Sequence, residues 1–146
     1  MAWNGLGITT FANSAEEAVA DADVVILATS SGEPVVDESA IKDDALVTSI
    51  STNVARAHEI APKFLTRAQV YCDYQDTTPA AAGDMVLAMQ NHGWSPASVV
   101  GDLGGLVTGA CPKPTAGSPM YFRSIGLGLE DIAIANAIYR ATNTSK

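Results

Sequence analysis

Three short stretches of the sequence combine small size with hydrogen-bonding side chains: Thr29-Ser30-Ser31, Ser51-Thr52-Asn53 and Ser124-Ile125-Gly126. Each follows a segment that reads as a β-strand, and open parallel sheets bind ligands beyond the carboxyl ends of their strands. Small side chains let a flat ligand approach backbone N–H groups closely. The third stretch also opens a helix, whose first N–H groups lack intrahelical partners and carry partial positive charge. The chemistry this pattern suits is the holding of a dinucleotide or a phosphate. Small residues after strands are equally common as plain loops, and on spacing alone that reading carries more weight. Other candidates offer less. Asp73 ends a strand, and with Asp76, Thr77 and Thr78 close by it reads as a cap. Glu130 and Asp131 fall early in a helix, where negative charge suits the dipole. Asp84 and Asp102 have no evident basic or metal-binding companion. His58 and His92 are isolated, and Cys72 and Cys111 form no CxxC pair, so they read as reduced thiols and no metal site is expected.

The elements that must position these loops follow from periodicity. Gly7–Phe11 reads as a short strand. Ser14-Ala-Glu-Glu17 has the spacing of a capping box, opening a helix over Ala15–Ala20. Val24–Thr29, Ala45–Ile50 and Gln69–Asp73 read as strands, and a continuous apolar run such as the first suits a parallel sheet covered on both faces. Thr78-Pro79 starts a helix that runs to Asn91 with a break at Gly83. Ser95-Pro96 repeats that start, and Val99, Val100, Leu103, Leu106 and Val107 fall at helical spacing, with Gly109 to end the helix. Met120–Arg123 is the last strand, and Gly126–Ala141 the last helix. That helix is so apolar that it must be covered, by the sheet, by the Val99–Val107 helix and by a second copy of the chain. The fold class is α/β, a parallel sheet with flanking helices, in a single domain over residues 1–146.

Composition excludes other classes. Of 146 residues 47% are apolar, and sixteen acids against eight bases give a formal charge of -8. Such a chain lacks the basic stripe that phosphate backbones need, so neither nucleic acid nor anionic membrane is an expected partner. No apolar run approaches the roughly 20 residues of a membrane span. Met1-Ala2-Trp3-Asn4 is no signal peptide, and a cytoplasmic location is expected.

In order, DADVVILATSS, NVARAHEI with Glu59, VYCD, AAGD, GDLGGLVTG and FRSIGLGLEDIAIANAIY resemble the ornithine cyclodeaminase/mu-crystallin family over roughly residues 8–142. The resemblance implies a Rossmann-type domain binding NAD or NADP, and members that reduce cyclic imines, oxidise amino acids or cyclise ornithine. It implies that Ser124, Ile125 and Gly126 face the nicotinamide end, with Thr29, Ser30, Ser31 and Ser51 along the cofactor. It places Asn53 at the catalytic position where ornithine cyclodeaminases carry an aspartate. Asparagine cannot ionise, which favours an imine reductase or amino-acid dehydrogenase lineage. The family's G-x-G-x-x-G fingerprint and front substrate domain have no counterpart here, since Met1–Gly7 hold only Gly5 and Gly7. The expectation is therefore a truncated, partial Rossmann-like sheet. Loss of about three charge-assisted hydrogen bonds, each about 1.5–3 kcal/mol, would leave it inactive alone. It would self-associate through the bare edge of the Val24–Thr29 strand. The alternatives are a non-catalytic nucleotide-binding or assembly module, and an enzyme completed by a separate N-terminal chain.

Overall fold

The computed structural model describes residues 10–50 and 56–143. Among these residues five short strands form one all-parallel sheet: β1 (Val24–Leu27), β2 (Leu46–Ser49), β3 (Gln69–Cys72), β4 (Val99–Asp102) and β5 (Met120–Arg123), in the order β1-β2-β5-β3-β4. The last strand is thus inserted between β2 and β3. The helices are α1 (Ala15–Val19), α2 (Thr78–Ala81), α3 (Gly83–Asn91), α4 (Leu103–Thr108) and α5 (Gly128–Asn143). This is the Rossmann-like α/β arrangement expected. The strand expected over Gly7–Phe11 lies mostly outside the described residues; Thr10 and Phe11 are in no strand.

Side chains of alternate residues leave a strand on opposite faces, and here one face makes the core. Val25, Leu27, Val47 and Tyr121 are buried there with Phe64, Leu65, Met85 and Ala88. The Pro62–Thr66 turn packs against α3, and the ring of Phe64 meets that of Tyr121 edge to face at 5.9 Å. The opposite face of β1 is open: Val24 and Ile26 are 55% and 65% exposed. The expectation that this run is covered on both faces therefore fails within the described residues. Among the described residues β1 lies at the end of the sheet and pairs with β2.

Local signals held where a side chain does the capping. Ser14 Oγ accepts from the N–H of Glu17 at 3.2 Å, while the Glu17 carboxylate reaches one residue further back, to the N–H of Asn13 at 2.7 Å. The break at Gly83 is present, and its cause is close approach. A Cβ on Gly83 would stand 2.4 Å from the carbonyl oxygen of Ala57, so only glycine lets α3 begin against that backbone. At α2 the N-cap is Thr77 rather than Thr78, and Pro79 is the second helical residue.

Two expectations are corrected. The Val99–Val107 helix is a strand followed by a short helix. Val99 and Val100 are β-branched and pair with β3, Gly101 packs against Cys111, and Asp102 then caps α4 by accepting from Gly105 N–H at 2.8 Å. Gly109 does end that helix, with φ 75°. The second correction concerns α5, for which cover by the sheet and that helix, as well as by a second copy, is expected; the first two do not cover it. None of its residues is buried; Leu129 and Tyr139 are 71% and 67% exposed.

Candidate functional site

The carboxyl rim of the sheet is built on charged groups beneath it. β2 and β5 lie side by side in register, Ser49 opposite Arg123, and both side chains point into the core. A guanidinium 1% exposed must be paired. Arg123 Nε donates to Asp84 at 3.1 Å and its Nη1 to Ser49 Oγ at 2.8 Å. Asp84, equally buried, also accepts from the Tyr121 hydroxyl at 2.5 Å. Burial, and then the charge of Asp84, pushes the Tyr121 phenol well above its usual range. Ser49 Oγ in turn donates to Glu59 at 2.7 Å, and the other Glu59 oxygen accepts from the N–H of Thr29 at 2.5 Å. A chain of hydrogen bonds thus runs from the end of β1, beneath β2, to β5 and α3.

A second carboxylate serves the other side of the rim. Asp73, 4% exposed, follows β3. Its Oδ1 accepts from Tyr74 N–H at 3.0 Å and from the Thr78 hydroxyl at 2.5 Å. Its Oδ2 accepts from Ile125 N–H at 2.8 Å, from Gly126 N–H at 2.9 Å and from Ser124 Oγ at 3.3 Å. The capping reading of Asp73 captured the first oxygen and missed the second. Burial, followed by the neighbouring Asp73 charge, pushes the Cys72 thiol up to about 11.

The sequence candidates divide accordingly. Thr29 and Ser31 are spent partly on their own loop: Thr29 Oγ1 accepts from Ser31 N–H at 3.1 Å, and Ser31 Oγ donates to the Glu33 carbonyl at 2.7 Å. Ser30 is exposed. Ser124, Ile125 and Gly126 form a turn on the same rim, with Gly126 at φ 74°. The helix expected to open at Gly126 begins at Gly128, and the N–H groups of Ile125 and Gly126, in the turn before it, are taken by Asp73. Ser51 and Asn53 lie outside the described residues. Asp84, expected to have no basic companion, has Arg123. Asp102 is structural: the N–H groups of Gly105 and Gln75 hold its carboxyl below the usual range. Among the described residues no group of three metal-ligating side chains occurs, and no helix is long and apolar enough to cross a membrane.

A parallel sheet whose small polar loops are anchored at the carboxyl rim by buried carboxylates defines a Rossmann-like α/β protein. The chain belongs to the ornithine cyclodeaminase/mu-crystallin family, whose profile matches residues 4–146. It is 54% identical over 129 residues to the NAD(P)H-dependent anabolic L-arginine dehydrogenase of Pseudomonas aeruginosa, covering 88% of this chain and 41% of that enzyme. The ketimine reductase mu-crystallin of Rattus norvegicus is 28% identical, with 92% of this chain and 40% of that protein covered. Among solved structures, the Δ1-pyrroline-2-carboxylate reductase of Thermococcus litoralis, in complex with NADH and L-proline, superposes with a TM-score of 0.82 at 25% identity, over 88% of this chain and 40% of that one. The iminosuccinate reductase of Paracoccus denitrificans in complex with NAD+ gives 0.76 at 26% identity, over 84% and 38%. The chain thus spans about two fifths of the length of these relatives.

Proposed function

We propose that this chain supplies the cofactor-binding part of an NAD(P)-dependent amino-acid dehydrogenase or imine reductase. The observation that carries the reading is the 54% identity to an L-arginine dehydrogenase across 88% of the chain, and the anchored rim is consistent with it. The described residues suit one end of a dinucleotide better than the other. The turn at Ser124 and the loop at Thr29 are small and held in fixed positions, which suits a flat ring. Their N–H groups at Thr29, Ile125 and Gly126 are already taken by carboxylates, which does not suit phosphate.

Bound nicotinamide supplies a hydride acceptor or donor. Oxidation of an amino acid then gives an imine, and reduction of the imine reverses it. What the chain contributes is placement: Glu59, Ser49 and Arg123 set the Thr29 loop against the β5 turn, and effective molarity from such placement is a large part of catalysis. Asn53, at the position of the family acid, offers hydrogen bonds and no ionisable proton. Proton transfer and substrate clamping then fall to parts of the relatives' length that this sequence does not span, and the described chain alone is inactive. Self-association is a further proposal, supported by the exposed apolar side chains of α5 and, among the described residues, by the one-sided pairing of β1.

The test is titration with NADPH and NADH by fluorescence, followed by absorbance at the nicotinamide band with L-arginine and oxidised cofactor. Saturable binding of either reduced cofactor supports the reading. Absence of binding to both favours the non-catalytic assembly module. Activity appearing only when a separate N-terminal chain is added favours the completed enzyme.

A further inference from the structure

Asp73 does more than its place in the sequence suggests, and it does so at the rim assigned above to the cofactor. Five donors converge on this one side chain, two on Oδ1 and three on Oδ2. A carboxylate offers about four lone-pair sites, so it is saturated. The turn over Ser124–Gly126 would otherwise present two adjacent N–H groups to solvent, the usual makings of an anion site. Here they point at a buried negative charge supplied by the protein itself.

We propose that Asp73 is a positioning residue: it locks the Ser124–Gly126 turn from beneath and fills the turn's anion-binding capacity, so the turn accepts an uncharged or cationic group and refuses phosphate. The proposal deepens the cofactor reading and rests on it for the identity of the ligand, though the lock itself does not. It follows that the pyrophosphate of a dinucleotide is held elsewhere.

Asp73→Asn separates the two oxygens. An amide has one acceptor oxygen, so its NH2 must face one donor set. Thr78 is fully buried whereas Gly126 is exposed and can turn to water. The amide oxygen therefore stays with Tyr74 and Thr78, and the NH2 faces the turn. Amide hydrogen exchange in the whole protein should show Ile125 and Gly126 protected in the wild type and about tenfold or more less protected in Asp73→Asn, with Val47 and Tyr121 unchanged. Millimolar pyrophosphate should leave the wild-type Ile125 and Gly126 amide resonances unshifted. The NADPH dissociation constant should rise about tenfold in the variant, a change of about 1.4 kcal/mol.

Wild-type amides that exchange as an open loop, or that shift on adding pyrophosphate, overturn the proposal, and neither readout needs the variant to fold. An unchanged NADPH constant in a variant whose turn has opened overturns the positioning role. Failure of NADPH to bind the wild type sinks the cofactor reading, and the exchange and pyrophosphate results then still decide the lock.

Discussion

Arg123→Met tests the buried cluster directly. The guanidinium and the Asp84 carboxylate are each 1% exposed and meet at 3.1 Å. Methionine keeps much of the apolar volume, so the loss is chiefly electrostatic. What remains is a buried carboxylate whose surviving partner among those described is the Tyr121 hydroxyl, together with a Ser49 hydroxyl and carbonyl that each lose a donor. Breaking a buried pair on one side costs about 3–5 kcal/mol, against a typical total stability of about 5–15 kcal/mol. With a urea slope of about 2 kcal/mol/M, the unfolding midpoint should fall by about 1.5–2.5 M. The assay is urea unfolding followed by far-ultraviolet circular dichroism. The double variant Arg123→Met/Asp84→Leu removes both desolvation costs and should recover most of the loss, because an apolar pair of similar volume is often as stable as a buried ion pair. A single variant that shifts the midpoint by less than about 0.5 M, or a double variant as unstable as its two singles combined, refutes the claim that charge pairing organises this part of the core.

Four further outcomes are expected. At pH 8 a thiol reagent should modify Cys111 and spare Cys72, whose buried thiol is pushed up to about 11; two fast thiols in the folded protein would contradict the burial. Because that folded value lies above the unfolded one, the contribution of Cys72 to stability is full below the ordinary thiol range and is lost as pH climbs toward 11. Gly83→Ala should lower the melting temperature sharply, since its Cβ would meet the Ala57 carbonyl oxygen at 2.4 Å, whereas Gly128→Ala, with nothing within 4 Å, should gain about 0.4–1 kcal/mol; equal effects would show the contact to be wrong. Asp102 has its folded pKa depressed, so its stabilisation is full above the unfolded value of about 3.9 and fades as pH falls through the folded one. Asp102→Asn, which still caps, should flatten the acid limb of melting temperature against pH, and an unchanged limb would contradict this.

How much could be read from sequence depended on whether the signal was local. β1, β2, β3 and β5 announce themselves by apolar runs, and Ser14 and Gly109 by the termini they make. The Val99–Val107 stretch failed because valine and leucine spacing fits a helix as well as a strand that turns into one. The deciding residue was Asp102, whose carboxylate three positions before Gly105 is a cap, and reading it so would have split the segment. The rim loops were legible; their anchors were not. Asp84 and Arg123 are 39 residues apart, and no periodicity links them. One clue was available: Arg123 stands two residues after Tyr121 on the same strand face, so if that face is core, the arginine needs a buried acid. Neither the sheet nor α4 covers α5 as expected: apolarity says that a surface seeks burial and does not say what provides it.

The contact at Gly83 fixes more than the start of one helix. With the Ala57 carbonyl oxygen set against the first residue of α3, and no room for even a methyl group between them, the backbone at Arg56 and Ala57 is moored to a helix which is itself tied through Asp84 to the central strand. Displacing the backbone at Ala57 would therefore drag α3, and with it the buried guanidinium, out of place.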